Sequence, residues 1–161
     1  MSANTPPKAK DAMTSNPWCA TPDLSVRELA AMFSEKNISG APVIARRPDG
    51  PLVGVVSRTD LFRRITEQGS AHAAYLFDLL KPGGASAAAG GGAGAGGTAP
   101  LIVVADFMAE NPVTVGPEDA LASVAKVMAA RRIHRVVVID AAKRPLGIIT
   151  TLDVLRFFPG A

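Results

Sequence analysis

The chain has 161 residues, of which 48% are hydrophobic and 19% charged, so it can bury a substantial core and does not have the composition of a disordered protein. Its formal charge of +3 is too small to indicate nucleic-acid binding but suits a small anionic ligand. One cysteine, Cys19, excludes an internal disulfide framework. No run of eighteen apolar residues predicts a membrane span, and the polar first ten residues do not resemble a signal peptide, so we expect a cytoplasmic protein.

Hydrophobic periodicity and turn residues divide the first part of the chain into short elements. Residues 1–9 are polar and contain two prolines, so we expect a disordered terminus. Apolar residues at positions 26, 29, 30 and 33 fall on one face of a helix. The predicted elements are a helix over residues 9–13, an extended segment over 18–20, a helix that begins at 21–23 and stops near 37, strands over 41–45 and 52–56, and a helix from 58 to about 68.

The middle of the chain changes in composition. Residues 65–81 are predicted to form a helical extension. The 17 residues between Pro82 and Pro100 comprise eight glycines, seven alanines, one serine and one threonine. Without charge or periodicity, residues 82–100 are predicted to be a flexible linker. A Gly-rich phosphate loop is disfavoured, because no lysine accompanies the glycines and the segment does not join a strand to a helix.

After this linker the sequence repeats. Asn111-Pro112 matches Asn16-Pro17 at an offset of 95 residues, and the apolar helical face recurs at the same offset. The stretch Gly54–Asp60 recurs as Gly147–Asp153 at an offset of 93, so one loop of the second copy is two residues shorter. Two repeats are too few for a solenoid, and we expect them to pack together as a pseudo-two-fold pair.

Each repeated stretch places a hydroxyl and a carboxylate at the junction of a buried strand and a helix. Ser57 and Asp60 form the first pair, and Thr150 and Asp153 form the second. The spacing is that of a capping box, which satisfies backbone N–H groups at a helix start. A helix N-terminus also attracts phosphate, and a carboxylate can accept two hydroxyls of a ribose. The structural role and the binding role are therefore compatible.

The β-α-β-β-α order and the two matched G-h-h-[S/T]-x-x-D junctions resemble CBS domains, a tandem pair of which is called a Bateman module. The resemblance implies an α/β fold of two CBS repeats, related by a pseudo-two-fold, in which small mixed sheets pack with helices. It places repeat 1 at residues 10–64 and repeat 2 at 101–161. It also implies that the motif hydroxyl binds phosphate and the motif aspartate binds ribose, in adenine nucleotides.

A second stretch, His134-Arg135, is similar to a pair that faces the phosphates in nucleotide-binding CBS repeats. Arginine suits this role because its guanidinium is planar, charged and bidentate. The first repeat has Ser39-Gly40 at the matching positions, so the two sites should not be equivalent, and Arg58 is a possible replacement cation. Whether one site uses residues of one repeat or of both is left open. The complete set of candidate ligand-binding residues is Ile38, Ala41, Pro42, Ser57, Arg58, Asp60, His134, Arg135, Val136, Thr150, Thr151 and Asp153.

Catalysis finds no support, because no Ser/His or Cys/His arrangement and no metal-ligand spacing is present. The resemblance implies a stand-alone regulatory module that binds AMP, ADP or ATP between its repeats and passes the binding state to an unknown regulated protein. It also implies a homodimer. The alternatives are another adenosyl ligand, such as S-adenosylmethionine or a dinucleotide, or a ligand-free scaffold for dimerisation and protein interaction. No nucleic-acid or membrane partner is expected.

Overall fold

The computed structural model describes residues 6–67 and 102–157. The predicted helical extension beyond residue 67 and the predicted linker lie outside the described residues. The elements of the first part are α1 (Ala9–Ala12), β1 (Thr14–Ser15), α2 (Val26–Glu35), β2 (Gly40–Ile44), β3 (Leu52–Ser57) and α3 (Arg58–Glu67). Those of the second part are a 3₁₀ turn (Val104–Asp106), β4 (Ala109–Glu110), β5 (Thr114–Val115), α4 (Leu121–Arg131), β6 (Arg135–Ile139), β7 (Pro145–Thr150) and α5 (Thr151–Arg156).

Helix α2 begins at Val26 and not at the predicted residues 21–23. Ser25 caps it: the Ser25 hydroxyl accepts from the Glu28 backbone N–H at 3.2 Å, and the Glu28 carboxylate accepts from the Ser25 N–H at 3.0 Å. This reciprocal capping box satisfies two backbone N–H groups. The Thr-Pro-Asp sequence at residues 21–23 does not satisfy them. Thr21 instead accepts a turn hydrogen bond from Leu24 at 3.1 Å.

The strands form two small sheets. The first is the antiparallel sheet β2-β3-β4. The second has the order β1-β7-β6-β5 and is mixed, because β5 pairs with β6 in parallel while the other pairs are antiparallel. Each sheet packs with two helices around its own hydrophobic core, one centred on Phe33 and Leu61 and the other on Leu121 and Ile149. The predicted mixed α/β fold of two repeats is confirmed.

Each sheet is completed by a segment from the N-terminal part of the other repeat. Strand β1 pairs with β7, and Ala9 and Ala12 of α1 lie in the second core. Strand β4 pairs with β3, and Val104 lies in the first core. Because each repeat contributes a strand to the other's sheet, the two cannot separate without loss of backbone hydrogen bonds.

The glycine that opens each motif makes room for this exchange. A Cβ on Gly147 would lie 2.4 Å from the Met13 sulfur, and one on Gly54 would lie 3.0 Å from the Met108 sulfur and 2.9 Å from the Ala109 carbonyl oxygen. The repeated methionines therefore each pack on the glycine of the opposite repeat. A larger residue at either glycine would push the incoming segment away from the sheet.

The N-terminal segment departs from its prediction. Polar composition predicts disorder over residues 1–9, but the described residues 7–9 are held against the second repeat: Leu121 N–H donates to the Pro7 carbonyl at 2.8 Å, and Ala9 N–H donates to the Asp119 carbonyl at 2.8 Å. Glu118 also accepts from the amines of Lys8 at 2.6 Å and Lys10 at 2.5 Å. Among the described helices, none has the length and apolarity that a bilayer crossing would require.

Candidate functional site

The two repeated motifs form the same capping box. Asp60 Oδ2 accepts from the Ser57 N–H at 2.9 Å and from the Ser57 hydroxyl at 2.5 Å, while Asp60 N–H donates back to the Ser57 hydroxyl oxygen at 3.3 Å. In the second motif Asp153 Oδ2 accepts from Thr150 at 2.8 and 2.7 Å, and its N–H donates back at 3.4 Å. Both hydroxyl protons are used within the cap, so neither hydroxyl can donate to a phosphate unless the cap rearranges.

The second oxygens of the two carboxylates differ. Asp153 Oδ1 lies 3.6 Å from an Arg156 guanidinium nitrogen. Asp60 Oδ1 has no hydrogen-bond or ion-pair partner among residues 6–67 and 102–157. A carboxylate can cap its helix with one oxygen and keep the other for a ligand. Of the two motif aspartates, Asp60 has a second oxygen that no described residue binds.

Asp60 faces a cavity of about 560 Å³ between the repeats. One wall is the junction of β3 and α3, and the opposite wall is the entrance to β6 in the second repeat. A third wall is β4 and the three residues that follow it, which the segment exchange brings against the first repeat. The lining residues are Val55, Val56, Ser57, Thr59, Asp60, Arg63, Ala109, Glu110, Asn111, Pro112, Val113, Arg132, Ile133, His134, Arg135 and Val137.

Arg135 spans the interface between the repeats. Its Nη2 lies 3.4 Å from the Ser39 hydroxyl, and a Cβ on Gly40 would lie 1.3 Å from its Nη1. Burial lowers the pKa of the Arg135 guanidinium and the Asp60 carboxylate raises it in opposition, so the two groups interact across the cavity. Arginine remains charged under this shift because its ordinary pKa is so high. The absence of a side chain at Gly40 thus makes space for the arginine at the matching position of repeat 2.

The sequence leaves open whether one site draws on one repeat or on both, and the structure brings residues of both repeats into one cavity. His134 and Arg135 of repeat 2 line the cavity of Ser57 and Asp60 of repeat 1. Thr150 and Asp153 do not line it. The pseudo-two-fold axis produces this arrangement, because the entrances of β2 and β6 face each other across it.

Arg58 does not supply the cation that repeat 1 lacks. Its Nη2 donates to the Phe33 carbonyl at 2.8 Å and its Nε is buried, so the guanidinium lies at the C-terminus of α2 and outside the cavity lining. The negative end of the helix dipole attracts a cation there, although the Phe33 carbonyl also accepts from the Ile38 N–H at 3.1 Å. Thr151, at the matching position, donates its N–H to the His134 carbonyl at 3.1 Å and lies outside this cavity as well.

Four of the candidate ligand-binding residues, Ile38, Ala41, Pro42 and Val136, are buried or packed against a hydrophobic core and do not line this cavity. Ala41 and Val136 are 1% exposed and belong to the two hydrophobic cores. Pro42 is buried, and its carbonyl accepts from the Ala20 N–H at 2.9 Å. Ile38 is half-buried against the first core. The side chains that give this cavity an apolar wall are Val55, Val113, Ile133 and Val137.

Five polar residues of the cavity are absent from the candidate binding residues: Thr59, Arg63, Glu110, Asn111 and Arg132. Thr59 is exposed and its hydroxyl makes no hydrogen bond within residues 6–67 and 102–157, so it can donate to a ligand where Ser57 cannot. Arg63 stands one helical turn after Thr59, a spacing that could have been recognised from the motif. Arg132 closes the other side with φ of 53°, in the left-handed region. The matching residue of repeat 1, Asn37, has φ of 50° but carries no charge. The repeat comparison therefore did not indicate a cation at position 132.

These features define a class of protein: a pair of intertwined α/β repeats with a charged cavity at their junction. The sequence model of the CBS domain matches residues 9–67 and 104–160. The chain therefore belongs to the CBS-domain family, and it carries two CBS repeats in tandem, a Bateman module.

Known proteins similar to this chain include enzymes and isolated CBS pairs. It is 29% identical to inosine-5′-monophosphate dehydrogenase of Korarchaeum cryptofilum over 83% of this chain and 21% of that enzyme. It is 25% identical to the uncharacterized protein MJ1232 of Methanocaldococcus jannaschii over 95% of this chain and 40% of that protein. The chain thus spans less than half the length of these two relatives.

Two solved structures share the fold along nearly the whole chain. The structure of CBSX2 in complex with AMP superposes with a TM-score of 0.64 at 28% identity, covering 92% of this chain and 93% of that one. The CBS domain pair of protein MJ0100, in complex with 5′-methylthioadenosine and S-adenosyl-L-methionine, superposes with a TM-score of 0.69 at 21% identity and covers 94% and 99%.

Proposed function

We propose that this protein is a regulatory module, without catalytic activity of its own, that binds an adenine nucleotide in the cavity between its repeats. The observation that carries the proposal is the meeting of Asp60, with an unpartnered Oδ1, and the arginines of both repeats in one cavity. The ribose diol would donate to Asp60, and the phosphates would bind the arginines. The AMP complex of the similar CBSX2 supports this class of ligand.

The charges of the cavity favour a phosphate over a neutral nucleoside. Arg63, Arg132 and Arg135 face Asp60 and Glu110, so the lining carries three positive and two negative side chains, a net +1. If Asp60 accepts hydrogen bonds from the ribose, the three arginines are available to bind a phosphate group. The volume of about 560 Å³ lies within the range of cavities that hold small-molecule ligands.

Arg135 gives the module a means of passing on its binding state. Its guanidinium contacts Ser39 of the other repeat and lies against Gly40. A phosphate that binds its guanidinium competes with the Ser39 contact, which at 3.4 Å is weak. Ligand binding would therefore favour a different contact between the repeats, and a regulated partner would read that change as a population shift.

Isothermal titration calorimetry with AMP, ADP, ATP, adenosine and S-adenosylmethionine tests the proposal. We expect the nucleotides to bind more tightly than adenosine, because only they reach the arginines. Tightest binding of S-adenosylmethionine would favour the second ligand class, that of the MJ0100 complex. Absence of binding by all five ligands would contradict the proposal and favour a scaffold.

We also propose a homodimer formed through α5. Leu152 and Leu155 of this helix are 69% and 58% exposed, and Phe157 beside them is 39% exposed. Adjacent exposed apolar side chains of this size are typical of interaction surfaces. Sedimentation velocity should show a dimer that Leu155→Lys dissociates, whereas a wild-type monomer at all accessible concentrations would contradict this assignment.

A further inference from the structure

A second cavity, of about 350 Å³, lies within the second repeat between α4 and α5. Met128, Ala125 and Ala129 line it from α4, and Val154 and Thr151 line it from α5. It shares only Arg132, Ile133 and His134 with the cavity between the repeats, so most of its wall plays no part in the proposed nucleotide site.

The first repeat fills the corresponding space. Phe33 and Leu61, which match Met128 and Val154, are both 0% exposed. Arg58, which matches Thr151, extends over the same region and donates to the Phe33 carbonyl at 2.8 Å. The fold therefore does not impose a cavity here. Smaller side chains in the second repeat leave a groove that is open to the surface.

A positively charged side chain, Arg132, lies at the opening of the cavity. Arg132 and His134 are exposed, and the Arg132 guanidinium has no hydrogen-bond or ion-pair partner among the described residues. Arg132 also adopts the left-handed conformation, with φ of 53°, which asparagine tolerates better and which Asn37 occupies in repeat 1. An arginine held in a disfavoured conformation beside an apolar cavity is a candidate for a binding role.

We propose that this cavity binds a small apolar acid, an aryl or alkyl carboxylate, in a site that shares Arg132 with the nucleotide site proposed above. The hydrocarbon part lies against Met128 and Val154, and the carboxylate binds Arg132. An engineered apolar cavity of about 150 Å³ already holds a benzene molecule, so this cavity accommodates an aromatic ring with a short chain. Methionine suits such a wall because its flexible thioether adapts to different shapes.

The test uses the full-length protein with phenylpropionate and its neutral analogue phenylpropanol as probes. Two-dimensional NMR of labelled protein should show that phenylpropionate shifts the amides of Ala125, Thr151 and Val154, while those of Ser57 and Asp60 stay in place. Phenylpropanol should bind at least about tenfold more weakly, because it lacks the charge that pairs with Arg132, and tenfold corresponds to ~1.4 kcal/mol.

Two sets of variants locate the site. Met128→Phe combined with Val154→Leu installs the side chains of repeat 1, and it should abolish phenylpropionate binding while nucleotide binding is retained. Arg132→Asn removes the charge with a residue suited to the left-handed conformation, and it should weaken phenylpropionate about tenfold. Arg131→Asn, at the neighbouring exposed position, is its matched control and should have no effect.

Several results would overturn the proposal. They are absence of phenylpropionate binding at millimolar concentration, equal affinity for acid and alcohol, amide shifts confined to the cavity between the repeats, and equal effects of Arg131→Asn and Arg132→Asn. If the double variant does not fold, the amide shifts and the arginine pair still decide. A second copy of the chain seated on the cavity would appear as a dimer that the double variant dissociates, and this too would refute a small-molecule site.

Discussion

The comparison of Asp60→Asn with Asp153→Asn separates helix capping from ligand binding. Both aspartates cap their helices with Oδ2 through nearly the same hydrogen bonds, 2.9 and 2.5 Å for Asp60 and 2.8 and 2.7 Å for Asp153. Asparagine keeps an acceptor oxygen, so each variant should lose less than the ~0.5–2 kcal/mol that removal of a cap costs. The two stability losses should be similar, and thermal melting measures them.

The effect on nucleotide affinity should differ between the two variants. Only Asp60 faces the cavity between the repeats with an unpartnered Oδ1. Charge-assisted hydrogen bonds to a ribose are worth about 1.5–3 kcal/mol. Since about 1.4 kcal/mol is a factor of ten, Asp60→Asn should weaken AMP and ATP roughly tenfold to hundredfold. Asp153→Asn should change either affinity by less than about threefold, which is below ~0.7 kcal/mol.

Calorimetry of both variants with AMP, ATP and adenosine checks this expectation. Adenosine should lose as much affinity for Asp60→Asn as ATP does, because all three ligands carry the same ribose. Retained affinity in Asp60→Asn would leave the motif as a helix cap alone. Equal losses in the two variants would show that the ligand requires both motifs, and the assignment of the site to this cavity would be wrong.

Three further predictions concern the contacts between the repeats. Arg135→Ala should weaken ATP at least about tenfold more than adenosine in calorimetry, since about 1.4 kcal/mol of phosphate contact is lost, and equal losses would make Arg135 structural. Gly40→Ala should lower the melting temperature slightly, because its Cβ would lie 3.0 Å from the Val56 carbonyl oxygen, and it should displace the Arg135 guanidinium and alter ATP affinity. An unchanged affinity would show that the position of Arg135 is irrelevant. Hydrogen bonds from Lys10 and Lys8 lower the pKa of Glu118 from 4.5 to about 2, so the contribution of this carboxylate to stability is complete above pH 4.5 and is lost as pH falls towards 2. The difference in melting temperature between wild type and Glu118→Gln should therefore shrink in that window, and a difference independent of pH would contradict the assignment.

Much of the fold follows from local sequence. The repeated motif predicts each strand-helix junction, because a hydroxyl and an acid three residues apart satisfy N–H groups wherever that helix starts. The Asn-Pro pairs punctuate the chain in the same local way. The one misplaced helix start, at residues 21–23, arose because the Ser25–Glu28 capping box was overlooked, although it too is a local signal.

The composition of the site was decided by tertiary structure. The sequence places His134 and Arg135 in the same repeat as Asp153, but the pseudo-two-fold and the exchange of β1 and β4 bring them to Asp60. No local rule could reveal this pairing, because it depends on which surfaces of two similar repeats face each other. The same holds for Arg58. Its charge suggests a ligand contact, but in the folded protein its guanidinium donates to a carbonyl at the C-terminus of α2.

The sequence by itself therefore determined the repeats, their elements and the helix caps, since these depend on interactions within a few residues. The tertiary structure alone decided which aspartate keeps an unpartnered oxygen, which arginines share its cavity, and where the two repeats differ in packing. The matched residues Phe33 and Met128 differ visibly in sequence. Only the packed structure shows that the neighbours of Met128 do not close the space, because the effect of a smaller side chain depends on how far its surroundings collapse.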